Sequence, residues 1–294
     1  VSAAPAVVAV RSPTQLPATQ AGAAAAFARA KAAGRAALIG YLPAGFPSVA
    51  GAIAAIEAMV AAGVDIVEIG LPYSDPVMDG PTIQRATERA LARGVRTRDV
   101  LATVEAVAAT GVATLVMTYW NPVERYGVAA FARDLAAAGG AGLITPDLLP
   151  DHADPWLAAA EDHGLDRVFL VSPSSTDARI TATTAACRGF VYATSVMGVT
   201  GARTATSSAA PALVERVRQL AKPTADGSPL PVGVGLGVSD GAQAAEIGAF
   251  ADGVIVGSAL VRCLLAADDA GDPGAGIRDL AILAADLAAG LTRR

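Results

Sequence analysis

The stretch "VAGAIAAIEAMVAAG" (49–63) passes, after a single residue, into "DIVEIG" (65–70). In the first segment apolar residues return with the spacing of one helix face, and the run ends on Gly63, the residue type that most readily closes a helix. The second segment is β-branched and almost continuously apolar. A strand of that kind is buried on both faces, as in a parallel sheet covered by helices. Its one exception is Glu68, a carboxylate placed between Val67 and Ile69.

The same unit recurs along the chain. Further strand-like runs are "ALIGYL" (37–42), "ATLVMT" (113–118), "AGLIT" (141–145), "RVFLVS" (167–172), "GFVYAT" (189–194), "LPVGVG" (230–235) and "DGVIVG" (252–257). Alanine-rich helical stretches such as "VAAFARDLAAAGG" (128–140) lie between them. Alternation of this kind builds a parallel sheet with helices on its faces. Eight units predict an α/β fold, a single-domain (β/α)8 TIM barrel over 24–294 with an N-terminal helix; a doubly wound open sheet is the alternative. Residues 1–23, with scattered prolines and no basic start before a long apolar core, read as a disordered extension rather than a secretory leader.

Composition narrows the class further. The 294 residues are 53% hydrophobic and 17% charged, which favours a packed globular body. A net charge of −5 argues against general nucleic-acid affinity, and no apolar run is long enough to predict a membrane span. Cys187 and Cys263 stand alone without CxxC spacing, as expected of packing residues in a reducing cytoplasm.

In a barrel, chemistry is placed at the carboxyl ends of the strands and in the loops that follow. Glu68 lies near such an end, and Asp79 lies in the loop "LPYSDPVMDG" (71–80) behind it. A shared pocket is one reading of the pair. The others are a basic partner for Glu68 inside the barrel and a turn or N-cap role for Asp79. Two late segments suit an anion: "GVGLGVS" (233–239) after the seventh strand, and "VGSALV" (256–261), which ends the eighth and opens a helix at Ser258. A third glycine-rich loop, "MGVTGAR" (197–203), completes a cradle and has the length of a lid.

Absences exclude other chemistry. The two lysines, Lys31 and Lys222, are not at the carboxyl end of a predicted strand, so a Schiff-base aldolase is disfavoured. His152 and His163 cannot build a histidine-rich zinc site alone, and surface positions are expected for both; no metal is predicted. Carboxylates, hydroxyls and backbone amides must do the work.

With "IGYLPAGFP" (39–47), "EIGLPYSDPVMDGPTIQ" (68–84), "MTYWNP" (117–122), "LITPDLLPD" (143–151), "VSPSST" (171–176), "VMGVTGAR" (196–203) and "VGVGLGVSD" (232–240) in this order, the chain resembles the α subunits of tryptophan synthase from about residue 24 onward. The resemblance implies retro-aldol cleavage of indole-3-glycerol phosphate to indole and D-glyceraldehyde 3-phosphate, in the cytoplasm, for tryptophan biosynthesis. It implies no cofactor in this chain. Pyridoxal phosphate belongs to the partner β subunit, with which an α2β2 complex is expected.

By the same resemblance, Glu68 is the acid/base for indole C3 and the glycerol hydroxyl, Asp79 attends the indole N–H, and Tyr192 stands beside Glu68. Tyr41 and Tyr119 line the indole pocket. Gly201, Gly237, Gly257 and Ser258 bind phosphate, and Thr200 is a lid residue that meets the aspartate loop. Pro72 and Asp75 face the partner, while Asp147 is left between structural, partner-facing and catalytic roles. Val196, Met197, Phe46 and Tyr73 depart from common family residues, and Tyr73 is expected to alter only loop packing. Two other readings compete: a related barrel acting on an indole or sugar phosphate, such as indole-glycerol-phosphate synthase, and a catalytically weak subunit that mainly activates its partner.

Overall fold

The computed structural model describes residues 22–194 and 209–292. The predicted extension up to residue 21, and Val196, Met197, Thr200 and Gly201 of the predicted lid, lie outside the described residues.

Nine parallel strands are present among the described residues: β1 (Ala37–Pro43), β2 (Ile66–Gly70), β3 (Ala113–Met117), β4 (Gly142–Ile144), β5 (Asp166–Val168), β6 (Leu170–Val171), β7 (Val191–Thr194), β8 (Val232–Gly235) and β9 (Gly253–Val256). The helices that matter here are α1 (Ala23–Ala32), α2 (Val49–Ala61), α3 (Pro81–Ala92), α4 (Thr97–Ala108), α5 (Trp120–Tyr126), α6 (Val128–Ala137), α7 (Asp154–Asp162), α8 (Asp177–Ala186), α9 (Ala209–Leu220), α10 (Gly241–Gly248), α11 (Ser258–Ala270) and α12 (Pro273–Thr292).

The sheet order is β5-β4-β3-β2-β1-β9-β8-β7-β6. Its two ends are the halves of one segment, split at Phe169, with β5 paired to β4 and β6 paired to β7. The fifth predicted strand is thus a single staggered position, and the sheet closes on itself as a barrel. The open-sheet alternative is excluded. The first predicted strand is found one residue longer, to Pro43, and the others with ends trimmed by one or two residues, where flanking residues turn into loops.

Strand periodicity sorts the side chains. Leu38, Leu42, Val67, Ile69 and Val116 face outward into the layer shared with the helices, where Ile56 and Met59 of α2 also lie. Ile39, Ile66, Leu115, Ile144, Val168 and Ile255 face inward. They share the barrel interior with Ala23, Ala26, Phe27 and Ala30 of α1, which plugs the amino-terminal end of the barrel. The Phe27 and Phe190 rings meet at 5.3 Å, and the Ala23 N–H donates to the Asp166 carboxylate at 2.9 Å. Gly189 has a φ of 93°, and a β-carbon there would press on that carboxylate, so glycine is required twice over. With this end filled by hydrocarbon, only the carboxyl end can receive a ligand.

Candidate active site

Glu68 is on the same inward face of β2 as Ile66, two residues nearer the carboxyl end, and its register partners are Tyr41 on β1 and Leu115 on β3. It is 1% exposed. Neither carboxylate oxygen has a hydrogen-bond partner among the described residues, so the basic-partner reading is not realised there. Burial alone pushes its pKa up to about 8. A carboxyl group with that value keeps its proton at neutrality.

Asp79 is not a helix cap, since the N-cap of α3 is Gly80. Its carboxyl is half-buried, and burial raises its pKa to about 6 against a hydrogen bond from Tyr119 that lowers it. The loop is fixed beside it: the Met78 N–H donates to the Tyr119 hydroxyl at 2.9 Å, and the Gln84 amide donates to the Asp79 carbonyl at 2.7 Å.

Tyr119 ends the β3 segment as the N-cap of α5. The next amide, Trp120 N–H, donates to both oxygens of Asp147 at 2.9 and 3.1 Å. Asp147 is therefore a structural cap for α5 that fixes where Tyr119 begins. Tyr73 packs its ring 5.3 Å from that of Tyr119 and accepts from Asn121 at 3.0 Å, so it supports the site as well as the loop. Burial and the nearby Asp79 charge push the Tyr119 hydroxyl up to about 12.

Tyr41 and Tyr192 are buried, and both hydroxyls are held far above their ordinary pKa, first by burial and then by the Glu68 and Asp79 charges. The three tyrosines and two carboxyls therefore occupy one electrostatic neighbourhood. Glycines make room for two of the rings: a β-carbon at Gly70 would strike the Tyr41 hydroxyl, and one at Gly235 the Tyr192 hydroxyl. The residues lining a small cavity at this point include Tyr41, Asp79, Tyr119 and Pro146.

At the adjacent strands β8 and β9 the anion-suited turns are present. Gly237 takes a φ of 71°, which favours glycine. The loop behind it is braced by Ser239, whose N–H and hydroxyl both donate to Gln243, and by Asp240, the N-cap of α10. Gly257 is the N-cap of α11, which starts at Ser258 as expected. Pro72 is buried and Asp75 exposed. Both line a groove of about 540 Å³ with Tyr73, Arg96 and Asn121, separate from the cavity beside Asp79. His152 and His163 are exposed, and no cluster among the described residues could hold a metal ion.

Two carboxyl groups held on opposite sides of neutrality at the carboxyl end of a closed parallel barrel define an acid–base enzyme of the barrel class. The family model for the tryptophan synthase alpha chain matches residues 27–288. The tryptophan synthase alpha chain of Salinispora arenicola is 64% identical over 266 residues, covering 90% of this chain and 96% of that one. That of Mycobacterium avium is 63% identical over 260 residues, covering 88% and 90%. A solved structure of Mycobacterium tuberculosis tryptophan synthase superposes with a TM-score of 0.84 at 58% identity, over 92% of this chain and 98% of that chain. This chain belongs to the tryptophan synthase alpha chain family.

Proposed function

We propose that the chain performs the α-subunit reaction of its family, cleaving indole-3-glycerol phosphate to indole and D-glyceraldehyde 3-phosphate. The observation that carries this reading is Glu68: a fully buried carboxyl group without a hydrogen-bond partner among the described residues, protonated near neutrality, beside an Asp79 that is mostly ionised there.

Cleaving the bond between indole C3 and the glycerol chain requires somewhere for the bonding electrons to go. Glu68 donates its proton to C3 while Asp79 takes the ring N–H proton, giving an indolenine whose C=N bond is that sink. Glu68, now a carboxylate, accepts the proton of the adjacent glycerol hydroxyl as the C–C bond breaks. The electrons return to the ring, Asp79 returns the nitrogen proton, and both carboxyls end as they began. Tyr192 orients the glycerol beside Glu68; Tyr41 and Tyr119 hold the indole, and Tyr119 also holds Asp79. The backbone amides around Gly237, Gly257 and Ser258 receive the phosphate.

Every proton transfer in this scheme is supplied by side chains, so the chain works without a cofactor of its own. Pyridoxal phosphate belongs to the β subunit, which we place against the groove beside Pro72 and Asp75 in an α2β2 assembly in the cytoplasm. Among the described residues no helix is long and apolar enough to cross a membrane. The test is indole release from indole-3-glycerol phosphate, measured with and without a tryptophan synthase β subunit. Absence of indole in the presence of the β subunit overturns the reading.

A further inference from the structure

Arg85, Arg89 and Arg93 recur every fourth residue along one face of α3 and its C-cap, and all three reach the last turn of α11. Arg85 holds both oxygens of Asp269 at 2.8 and 2.7 Å. Arg89 bridges the two acids, bonding Asp268 and Asp269 at 2.6 Å each. Arg93 holds both oxygens of Asp268 at 2.9 Å, donates to the Pro47 carbonyl at 2.7 Å, and stacks 5.5 Å over the buried Phe46 ring. Isolated surface pairs contribute little. This set is a connected network around Asp268, whose side chain is only 14% exposed.

Its placement is the informative feature. Aspartates in the last turn of a helix oppose the helix dipole, since that end already carries partial negative charge. The last turn of α11 contains no basic residue, so the compensation comes entirely from α3 and its cap. The first turn of α11 is the Gly257–Ser258 end of the phosphate cradle, and α3 begins at Pro81, two residues after Asp79, whose carbonyl Gln84 holds. The loop braced by Arg93 leads back to Tyr41 on β1. One charge network thus joins three segments that also supply groups to the site.

We propose that Arg85, Arg89 and Arg93 are positioning residues that couple the phosphate-binding helix α11 to the Asp79 loop, so that phosphate occupancy and placement of the aspartate reinforce each other. This rests on the proposed reaction above. Glycerol 3-phosphate is the probe, because it carries the phosphate without the indole. Its inhibition constant and the KM for indole-3-glycerol phosphate should both rise roughly two- to fivefold in Arg89→Gln, the size of an uncompensated charge at a helix end, with kcat less affected. Arg89→Lys, which keeps a charge but not the two-acid bridge, should recover part of the loss.

Amide hydrogen exchange reads the coupling directly. In the parent, glycerol 3-phosphate should slow exchange at 257–261 and also at 76–84. In Arg89→Gln the second effect should vanish while the first remains. Arg85→Gln, at the most exposed of the three arginines, repeats the test should Arg89→Gln fold poorly. A variant with lowered melting temperature but unchanged KM, inhibition constant and exchange response at 76–84 overturns the coupling. Failure of the parent to bind glycerol 3-phosphate at all overturns instead the phosphate reading on which it rests.

Discussion

The Tyr119 hydroxyl accepts the Met78 amide hydrogen at 2.9 Å and also hydrogen-bonds the carboxylate of Asp79, the next residue. One phenol therefore fixes both the backbone and the charge of the aspartate loop. Tyr119→Phe should free the Met78 N–H and remove the bond that holds the Asp79 pKa down. The acid limb of kcat/KM should move to higher pH, and activity at pH 7 should fall about tenfold, the scale of losing one hydrogen bond to a charged group. A pH–rate profile of the variant beside the parent checks both.

The two carboxyl groups predict a bell-shaped profile for kcat/KM. Cleavage needs Asp79 ionised, so the rate should fall as pH drops through about 6, and it needs Glu68 protonated, so the rate should fall as pH rises through about 8. Indole formation across pH 5 to 9 measures both limbs. A profile that keeps climbing past pH 9 would remove Glu68 as the proton donor.

Glu68→Gln should lower turnover by about 10² or more while leaving substrate binding little changed. Its stability should move the other way. The ordinary value of the carboxyl is 4.5 and its folded value about 8, so the folded chain holds more protons than the unfolded chain between those limits. Parent stability from this group is fully present below pH 4.5 and declines as pH rises to about 8. The glutamine does not titrate. The variant should therefore gain stability relative to the parent across that window, by an amount on the order of a few kcal/mol at its upper end. Thermal melts at pH 5 and pH 8.5 compare the two, and retention of more than half the parent turnover would refute the assignment.

Gly237→Val adds a branched side chain at a backbone with φ of 71°, in the turn proposed to receive the phosphate. Substrate KM should rise, and competition by inorganic phosphate should weaken with it. Indole glycerol lacking phosphate should bind parent and variant alike. If that analogue bound the parent as tightly as the phosphorylated substrate, the amide cradle would be disproved.

Asp75 is exposed on the loop that ends in Asp79, and it lines the groove outside the cavity. Adding a β subunit should raise indole production at least tenfold, a change of only about 1.4 kcal/mol in the barrier. Asp75→Ala should blunt this activation and leave the rate without partner nearly unchanged. The check is a titration of β subunit into both proteins, and identical activation curves would rule out coupling through this loop.

The strands were legible because barrel strands are buried on both faces, so each appears as an apolar run, and Glu68 stood out as the polar exception within one. The split at Phe169 was not legible, because "RVFLVS" carries no glycine or proline to mark a break; a stagger in pairing produced it. The candidate catalytic positions sit in recognisable local motifs. The groups that hold them come from distant segments: Tyr119 for Met78, Asp147 for Trp120, Asp268 for Arg89. Pairings across such separations leave no local periodicity to read. The buried state of Pro72, beside the exposed Asp75, likewise depends on packing rather than residue type.

The plug at the barrel's amino-terminal end has a consequence for the order of folding. Helix α1 precedes every strand of the described residues, yet the acceptor for its first amide is Asp166, 143 residues downstream, and its Phe27 packs on Phe190 of a later segment. Closing a loop of that length has an entropic cost, and only the contacts of α1 with nearby Ala37 and Ile39 are local enough to avoid it. Its contacts cannot be completed before Asp166 and Phe190 are in place. The first helix of the described residues thus completes its docking only when the ring behind Asp166 is complete, and until then the inward faces of Ile39 and Ile66 lack their cover from below.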